Sequence, residues 1–435
     1  MTERSTDTPS GPTSARRGAG PRYAAVLFGS SVAAGLGVYG YLVLAKRGMT
    51  LDQWGHFSVY WSVALVVGFG FFLPLEQEGG RLLGPNMSRS ALRPLTSVAL
   101  VAALAAALAL MAGLPVLLPA LRQEGSLFIL LLVLALVSAI QFFTRGVMLG
   151  LGYRWAYVAA LAADGILRLG FAALLVVSGI HGALPFATAL VVAILLAHLV
   201  PLAYVLARTP RSPEPLPGGT TASSTVAVRG WLRLLPASLA AQVLQNGAPF
   251  AVALVATGAQ ANAAGPFLAA FTVARIPLFM AVPIQSALVP PLARLVREGR
   301  SDRVLSLVAR LGGITAAAAV VGGLAALLVG RPVLALLFGP ELLVPSADLA
   351  LMVVGVCVHV GLLVLTQALV ALDLHGRAGV AWITGLAAAA AVFLVVQPVL
   401  LRAELAFLVG SLVGAVTGTI GMSRTVRRSA GRRLR

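Results

Sequence analysis

Few side chains in this 435-residue chain could do chemistry, and most of them stand inside long apolar runs. Asp164 and Arg168 are four apart in one such run, so they share a helix face. A charge in the middle of a bilayer-spanning helix costs at least ~2.5–3.5 kcal/mol, so each must meet a polar cavity or a partner. Two readings follow: the pair lines a cavity, or it is a self-neutralising ion pair that locks helices. Arg275, in Ala274-Arg275-Ile276-Pro277-Leu278, has no acid within a turn. A guanidinium at that depth suits an anion, above all phosphate held through two parallel hydrogen bonds. The other reading gives it a partner on another helix, such as Asp164. Ser238, Gln242, Gln245 and Pro249 recur at helical spacing with Asn246 beside them. That polar stripe fits sugar hydroxyls or interhelical hydrogen bonds equally well. Glu76, Glu78 and Arg81 close the second apolar run and read as a solvated interface cluster, or else as a substrate gate. His198 and His359, each alone in an apolar run, read as packed or hydrogen-bonded rather than as proton relays.

Enzyme chemistry finds no purchase in this set. The sequence holds no phosphate-binding P-loop, no G-x-S-x-G elbow and no H-E-x-x-H, and its single cysteine, Cys357, excludes cysteine-based metal clusters and an intrachain disulfide. Gly35-Leu36-Gly37-Val38-Tyr39-Gly40 matches a dinucleotide fingerprint but lies inside an apolar span. It therefore reads as close helix packing through small residues, with Ser31 and Gly35 on one face. The expectation is a protein that is not an enzyme and carries no cofactor or metal.

The elements that must position these residues are membrane spans. Hydrophobic residues make up 59% of the chain and charged ones 11%, too little charge for a soluble surface. A bilayer core about 30 Å thick needs about 20 apolar residues per helix. Such runs occur at Tyr23–Leu44, Phe57–Leu75, Leu95–Leu118, Leu127–Leu149, Trp155–Val177 and Leu184–Ala207. After a break they resume at Leu232–Val255, Phe267–Leu288, Val304–Val329, Leu349–Leu369, Val380–Leu400 and Leu405–Met422. The net charge of +18 does not indicate nucleic-acid binding, because the arginines sit in short loops between spans. Alternate loops leave only Lys46, Arg47, Arg122, Arg331 and Arg402 on one side. The other side carries the rest, apart from Arg168 and Arg275 inside spans, from Arg4 through Arg81, Arg145, Arg208 and Arg303 to the tail. The positive-inside rule makes that side cytoplasmic and places both termini there, in a bacterial inner membrane.

The chain thus divides into a disordered cytoplasmic start (1–22), a six-helix lobe (23–207), a cytoplasmic linker (208–230), a second six-helix lobe (231–422) and a basic cytoplasmic tail (423–435). The linker is rich in Pro, Ser, Thr and Gly. Gly37, Gly48, Gly55, Phe57 and Arg93 recur in order as Gly247, Gly258, Gly265, Phe267 and Arg303, which indicates duplication. An even number of spans per half gives parallel repeats with a binding site between them. The fold class is all-α and polytopic, with about 12 transmembrane helices in two six-helix lobes.

Several short motifs then resemble one family. Phe28-Gly29-Ser30 to Arg47-Gly48, Trp54-Gly55-His56-Phe57, Ala274-Arg275-Ile276-Pro277-Leu278 and Leu336-Leu337-Phe338-Gly339-Pro340-Glu341 are similar to the polysaccharide-export branch of the MOP superfamily, whose members are MATE-like. The resemblance covers the chain from about Tyr23 to Met422. It implies two lobes around a cavity lined by spans one, two, seven and eight, and alternating-access flipping of polyprenyl-pyrophosphate-linked oligosaccharides from the inner to the outer leaflet. Arg275 would face the pyrophosphate, with Arg168, Asp164, Gln242, Gln245, Asn246, Glu76 and Arg81 as further substrate-binding candidates. Implied partners are the anionic glycan lipid, membrane lipids, and the glycosyltransferases and polymerase of the same pathway. The rival readings are a cation-coupled multidrug exporter of the same fold, a major-facilitator transporter and a non-transporting scaffold for glycan assembly. The first would need cavity acids, for which Asp164 alone qualifies. The second would carry a charged loop where Gly79-Gly80-Arg81-Leu82-Leu83-Gly84 stands.

Overall fold

Helix follows helix along the chain, and most boundaries have a local cause. The computed structural model describes residues 21–85, 87–211, 223–257, 260, 263–275, 278, 295, 298 and 300–433. The first lobe holds α1 (Pro21–Arg47), α2 (Leu51–Leu82), α3 (Arg93–Ala112), the short α4 (Leu114–Ala120), α5 (Gly125–Gly150), α6 (Arg154–Val177) and α7 (Ala183–Arg208). The second holds α8 (Ser224–Asn246), α9 (Ala248–Val255), α10 (Ala264–Ala274), α11 (Ser301–Phe338), α12 (Ser346–Ala371), α13 (His375–Val395) and α14 (Val399–Arg433). Thr50 caps α2 through a reciprocal pair of bonds with Gln53, and the Ser223 hydroxyl accepts from Val226 to start α8.

Ten of these helices are long and apolar enough to cross a membrane, eleven if α8 and α9 count as one bent span. The fold is the all-helical, polytopic one expected. Lipid-facing surface is apolar: Leu100, Leu104 and Leu108 are exposed on α3, while Val98, Ala102 and Ala106 on its other face are buried. The halves pair their helices in the same order. In the first lobe α1 packs on α6, α2 on α5, α5 on α7 and α6 on α7; in the second, α8 packs on α13, α10 on α12, α12 on α14 and α13 on α14.

Several expected spans change shape. The seventh is two helices bent by 65° at Gly247, because Pro249 opens α9 without a backbone donor for the preceding turn. The third stops at Ala112, with Gly113 and Pro115 starting α4. The ninth runs on to Phe338, carrying Arg331 and Pro332 within α11. α1 begins at Pro21, so residues 21 and 22 are helical rather than disordered, and α14 continues through the basic tail to Arg433. The linker shortens, since α7 ends at Arg208 and α8 starts at Ser224. Of the eighth span only α10 and a few following residues are described. Residues 1–20, most of the linker, and Pro277, Pro283, Pro290, Arg294 and Arg297 lie outside the described residues.

Helices approach most closely where glycine meets glycine. A Cβ on Gly37 would stand 2.6 Å from the Gly165 carbonyl oxygen, tying α1 to α6. One on Gly79 would stand 2.6 Å from Gly146 Cα, tying α2 to α5. Small-residue packing of the first span is therefore present, but through Ala34 and Gly37 rather than Ser31 and Gly35; the Ser31 hydroxyl bonds back to the Leu27 carbonyl. Gly79→Leu should lower the detergent-solubilised protein's thermal midpoint, by the equivalent of about 1–3 kcal/mol of overpacking. Gly84→Ala, where nothing lies within 4 Å of the new Cβ, should leave it unchanged.

Candidate functional site at the junction of the lobes

The two lobes meet along α2 and α8, which run antiparallel and are joined by side chains donating to carbonyls. The Ser62 hydroxyl donates to the Asn246 carbonyl (2.5 Å), Ser238 to Phe69 (3.3 Å) and the Trp231 indole to Phe71 (2.9 Å). Towards the charge-poor end, Trp54 of α2 donates to the Gly265 carbonyl at the start of α10 (3.0 Å) and packs on Phe338 of α11. There, too, Lys46 at the end of α1 pairs with Glu341 at 2.8 Å, a contact from lobe to lobe.

Arg275 sits at this junction, as the cap residue ending α10 rather than within a continuous helix. Its guanidinium lies 4.1 Å from the centre of the Phe271 ring. Nη1 donates to the Asn246 side-chain oxygen at 3.0 Å, while the Asn246 amide nitrogen donates to Gln242 at 2.8 Å. Asn246 ends α8 at the Gly247 break, so the bend sets where this amide points. Nε and Nη2, the two donors along the other edge of the guanidinium, are buried with no hydrogen-bond partner among the described residues. That edge presents two parallel N–H groups, the arrangement that carboxylates and phosphates accept bidentately.

The structure brings Gln242, Asn246 and Arg275 together and leaves the other candidates elsewhere. Gln245 makes no hydrogen bond among the described residues. Asp164 pairs with Arg168 through two bonds of 2.8 and 2.6 Å, so its partner is not Arg275. Arg168 is 6% exposed. Glu76 and Arg81 belong to separate pairs. Arg145 of α5 lies 3.0 Å from Glu76, which also accepts from the Tyr157 hydroxyl at 2.7 Å. Arg81 donates to Glu78. Glu76 and Glu78 are 6% and 3% exposed, so they are not the solvated interface cluster expected. Helix α5 covers Glu76, and α8 covers Glu78 by laying Gly230 against its carboxylate. His198 and His359 are buried, with Nδ1 bonded to the Ile194 carbonyl and to the Ser411 hydroxyl.

Sequence reasoning passed over Lys46, Glu341, Arg145 and Tyr157. The signals were present but local: Lys46 is the only lysine, and Arg145 lies one turn after Gln141 in the fourth span. Among the described residues no cluster of His, Cys, Asp and Glu could hold a metal ion. A cavity of about 290 Å³ lies beside the α8–α9 bend, lined by Val243, Gly247, Ala248, Phe393 and Phe407; Arg275 and Asn246 are not on its wall.

Comparison with known proteins supports the architecture. No family model matches the chain. The uncharacterized protein Rv1510 of Mycobacterium tuberculosis strain H37Rv is 33% identical over 281 residues, 62% of this chain; the match spans 60% of that protein. Its counterpart in strain CDC 1551 matches equally. Among solved structures, the inward-facing conformation of a multidrug resistance MATE family transporter of the MOP superfamily has a TM-score of 0.60 at 16% identity, covering 92% of this chain and 94% of that one. A mutant of the Vibrio cholerae MATE transporter VcmN gives 0.59 at 14% identity, covering 94% and 98%. The outward-facing form of the MATE family transporter gives 0.55 at 14%, covering 94% and 95%. The chain has the MATE transporter fold.

Two predictions follow from the ion pairs. Asp164→Asn strands a buried guanidinium and should cost about 3–5 kcal/mol, with Asp164→Leu/Arg168→Met recovering most of that loss in thermal unfolding. A pair that only locks helices leaves transport by the double variant near wild type; a cavity pair does not. At the charge-poor end, the hydrogen bond from Lys46 holds the Glu341 carboxyl below its usual range. The latch is therefore complete at neutral pH and is lost as pH falls through that lowered value. Spin labels across this end should report acid-induced separation in the wild type, and Glu341→Gln should show it already at neutral pH.

Proposed function

We propose that this multi-pass membrane protein is a transporter of the MOP superfamily that flips a polyprenyl-pyrophosphate-linked oligosaccharide from the cytoplasmic to the outer leaflet by alternating access. The observation that carries the reading is the bare edge of Arg275. Two guanidinium donors are buried without partners among the described residues, at the junction of two lobes whose relative movement would expose them to either side. Pyrophosphate is the constant part of such cargoes, so one fixed cation and looser amides for the glycan suit a series of them. Gln242 and Asn246 stand beside the cation, and Gln245 is one helix position from Asn246. Asp164, Arg168, Glu76 and Arg81 then serve the scaffold of the first lobe and its gate. The arginine-rich end is cytoplasmic in this reading, in a bacterial inner membrane, and the enzymes that assemble and polymerise the glycan are the expected partners.

A multidrug exporter is the second reading, favoured by the similarity in fold to a multidrug resistance transporter. A cationic drug needs an unpaired acid in its path, and in the first lobe Asp164, Glu76 and Glu78 are each already paired with an arginine. Flipping of a fluorescent polyprenyl-pyrophosphate disaccharide in proteoliposomes separates the two. Arg275→Ala should slow it by about 10–100-fold, the worth of a hydrogen bond to a charged group. Arg275→Lys should restore part of the rate. Efflux of a cationic dye that Arg275→Ala leaves intact, with no flipping by the wild type, would overturn the proposal.

A further inference from the structure

Glu404 is an acid that none of the foregoing uses. The apolar run placed the last span's start at Leu405, leaving Glu404 in a loop, but α14 begins at Val399 and carries Glu404 inside the helix. It is 2% exposed, and neither carboxyl oxygen has a hydrogen-bond partner among the described residues. An ionised carboxylate in such a place is far less stable than a neutral carboxylic acid.

Its surroundings define a seam. Glu404, Phe407 and Ser411 follow one another at helical spacing on α14, and Asp348, Gly355 and His359 do so on α12. Phe407 lies against Gly355, and its ring is 5.0 Å from that of His359; the Ser411 hydroxyl and His359 Nδ1 are 3.0 Å apart. Both helices start at the charge-poor end, so Glu404 and Asp348 occupy the top of the same seam. Asp348, in the first turn of α12, is the acid of the neighbouring helix at this end of the seam, and Arg331 of α11 is exposed. Arg402, on the same helix, is turned to the Val396 carbonyl and the Phe393 ring. Further along, Phe407 meets Phe271 edge-on at 5.1 Å, and Arg275 lies over Phe271. The seam is thus in contact with the guanidinium site.

We propose that Glu404 is a proton-binding site at the charge-poor end of the second lobe, protonated while α12 and α14 are closed and deprotonated when their first turns part. In the release step the carboxyl O–H bond breaks, its electron pair stays on the carboxylate, and the proton passes to water entering the seam. The new charge faces Asp348, so repulsion between two acids holds the seam open until a proton returns. The site does not depend on the cargo proposed for Arg275.

The test uses the full chain in lipid nanodiscs, with Cys357→Ala and spin labels at the exposed positions Ala347 and Gln397. Going from mildly acid to mildly alkaline buffer should lengthen the distance in the parent protein and leave it short in Glu404→Gln. Potentiometric titration of the same samples should show Glu404→Gln releasing one proton fewer over that interval. Asp348→Asn, which keeps the acid and removes the repulsion, should move the release to lower pH; it also serves if Glu404→Gln does not fold. A pH response retained in Glu404→Gln, an equal proton count, or a release unmoved by Asp348→Asn would each overturn the proposal. No readout involves a lipid-linked glycan, so failure here is separate from failure of the flippase reading.

Discussion

The antiparallel contact between α2 and α8 is the interaction on which the rest of the structure depends. In a bilayer the hydrophobic effect gives helices no reason to prefer one another over lipid, so contact must come from close packing and hydrogen bonds. Both occur along this seam. Gly70 lets Leu239 come close, while Ser62, Ser238 and Trp231 reach across to carbonyls on the opposite helix. Because the Ser62 bond ends on the last residue of α8, the same seam fixes the Gly247 bend, and through it the amide that orients Arg275.

Low dielectric then sorts the ionisable groups. Asp164 with Arg168, Glu76 with Arg145 and Glu78 with Arg81 neutralise one another within the first lobe and can travel with it as a rigid body. Largely buried pairs such as the first two contribute little net stability, but breaking one is costly. The second lobe is arranged differently. Arg275 keeps two donors unused and Glu404 keeps both acceptors unused among the described residues. Phe271, beneath the guanidinium, meets Phe407 of the helix that carries Glu404. Two lobes with similar helix pairing thus hold their buried charges in unlike ways.

The Lys46–Glu341 pair holds the lobes together at the charge-poor end, where Trp54 also crosses from one to the other. These contacts combine one ion pair, one indole hydrogen bond and the packing of the buried Trp54 on Phe338.

The sequence by itself determined the membrane-spanning, all-helical class, and it singled out Arg275 as a charge inside an apolar run. Those properties follow from hydropathy and from the cost of burying charge, and both act on a chain segment irrespective of its neighbours. Spacing along one helix also gave the Asp164–Arg168 pair, but tertiary structure alone decided which charges find each other across helices, as Arg145 with Glu76 and Lys46 with Glu341. Glu76 and Arg81 look like one cluster at five residues' separation, yet each has a different partner, because α5 brings Arg145 to Glu76 and leaves Glu78 for Arg81. Glu404 was hidden for a related reason: a hydropathy boundary stops at the first acid, whereas the helix continues past it and buries that acid against α12. Pairing between helices and burial depend on distances across the bundle, and no spacing along the chain encodes them.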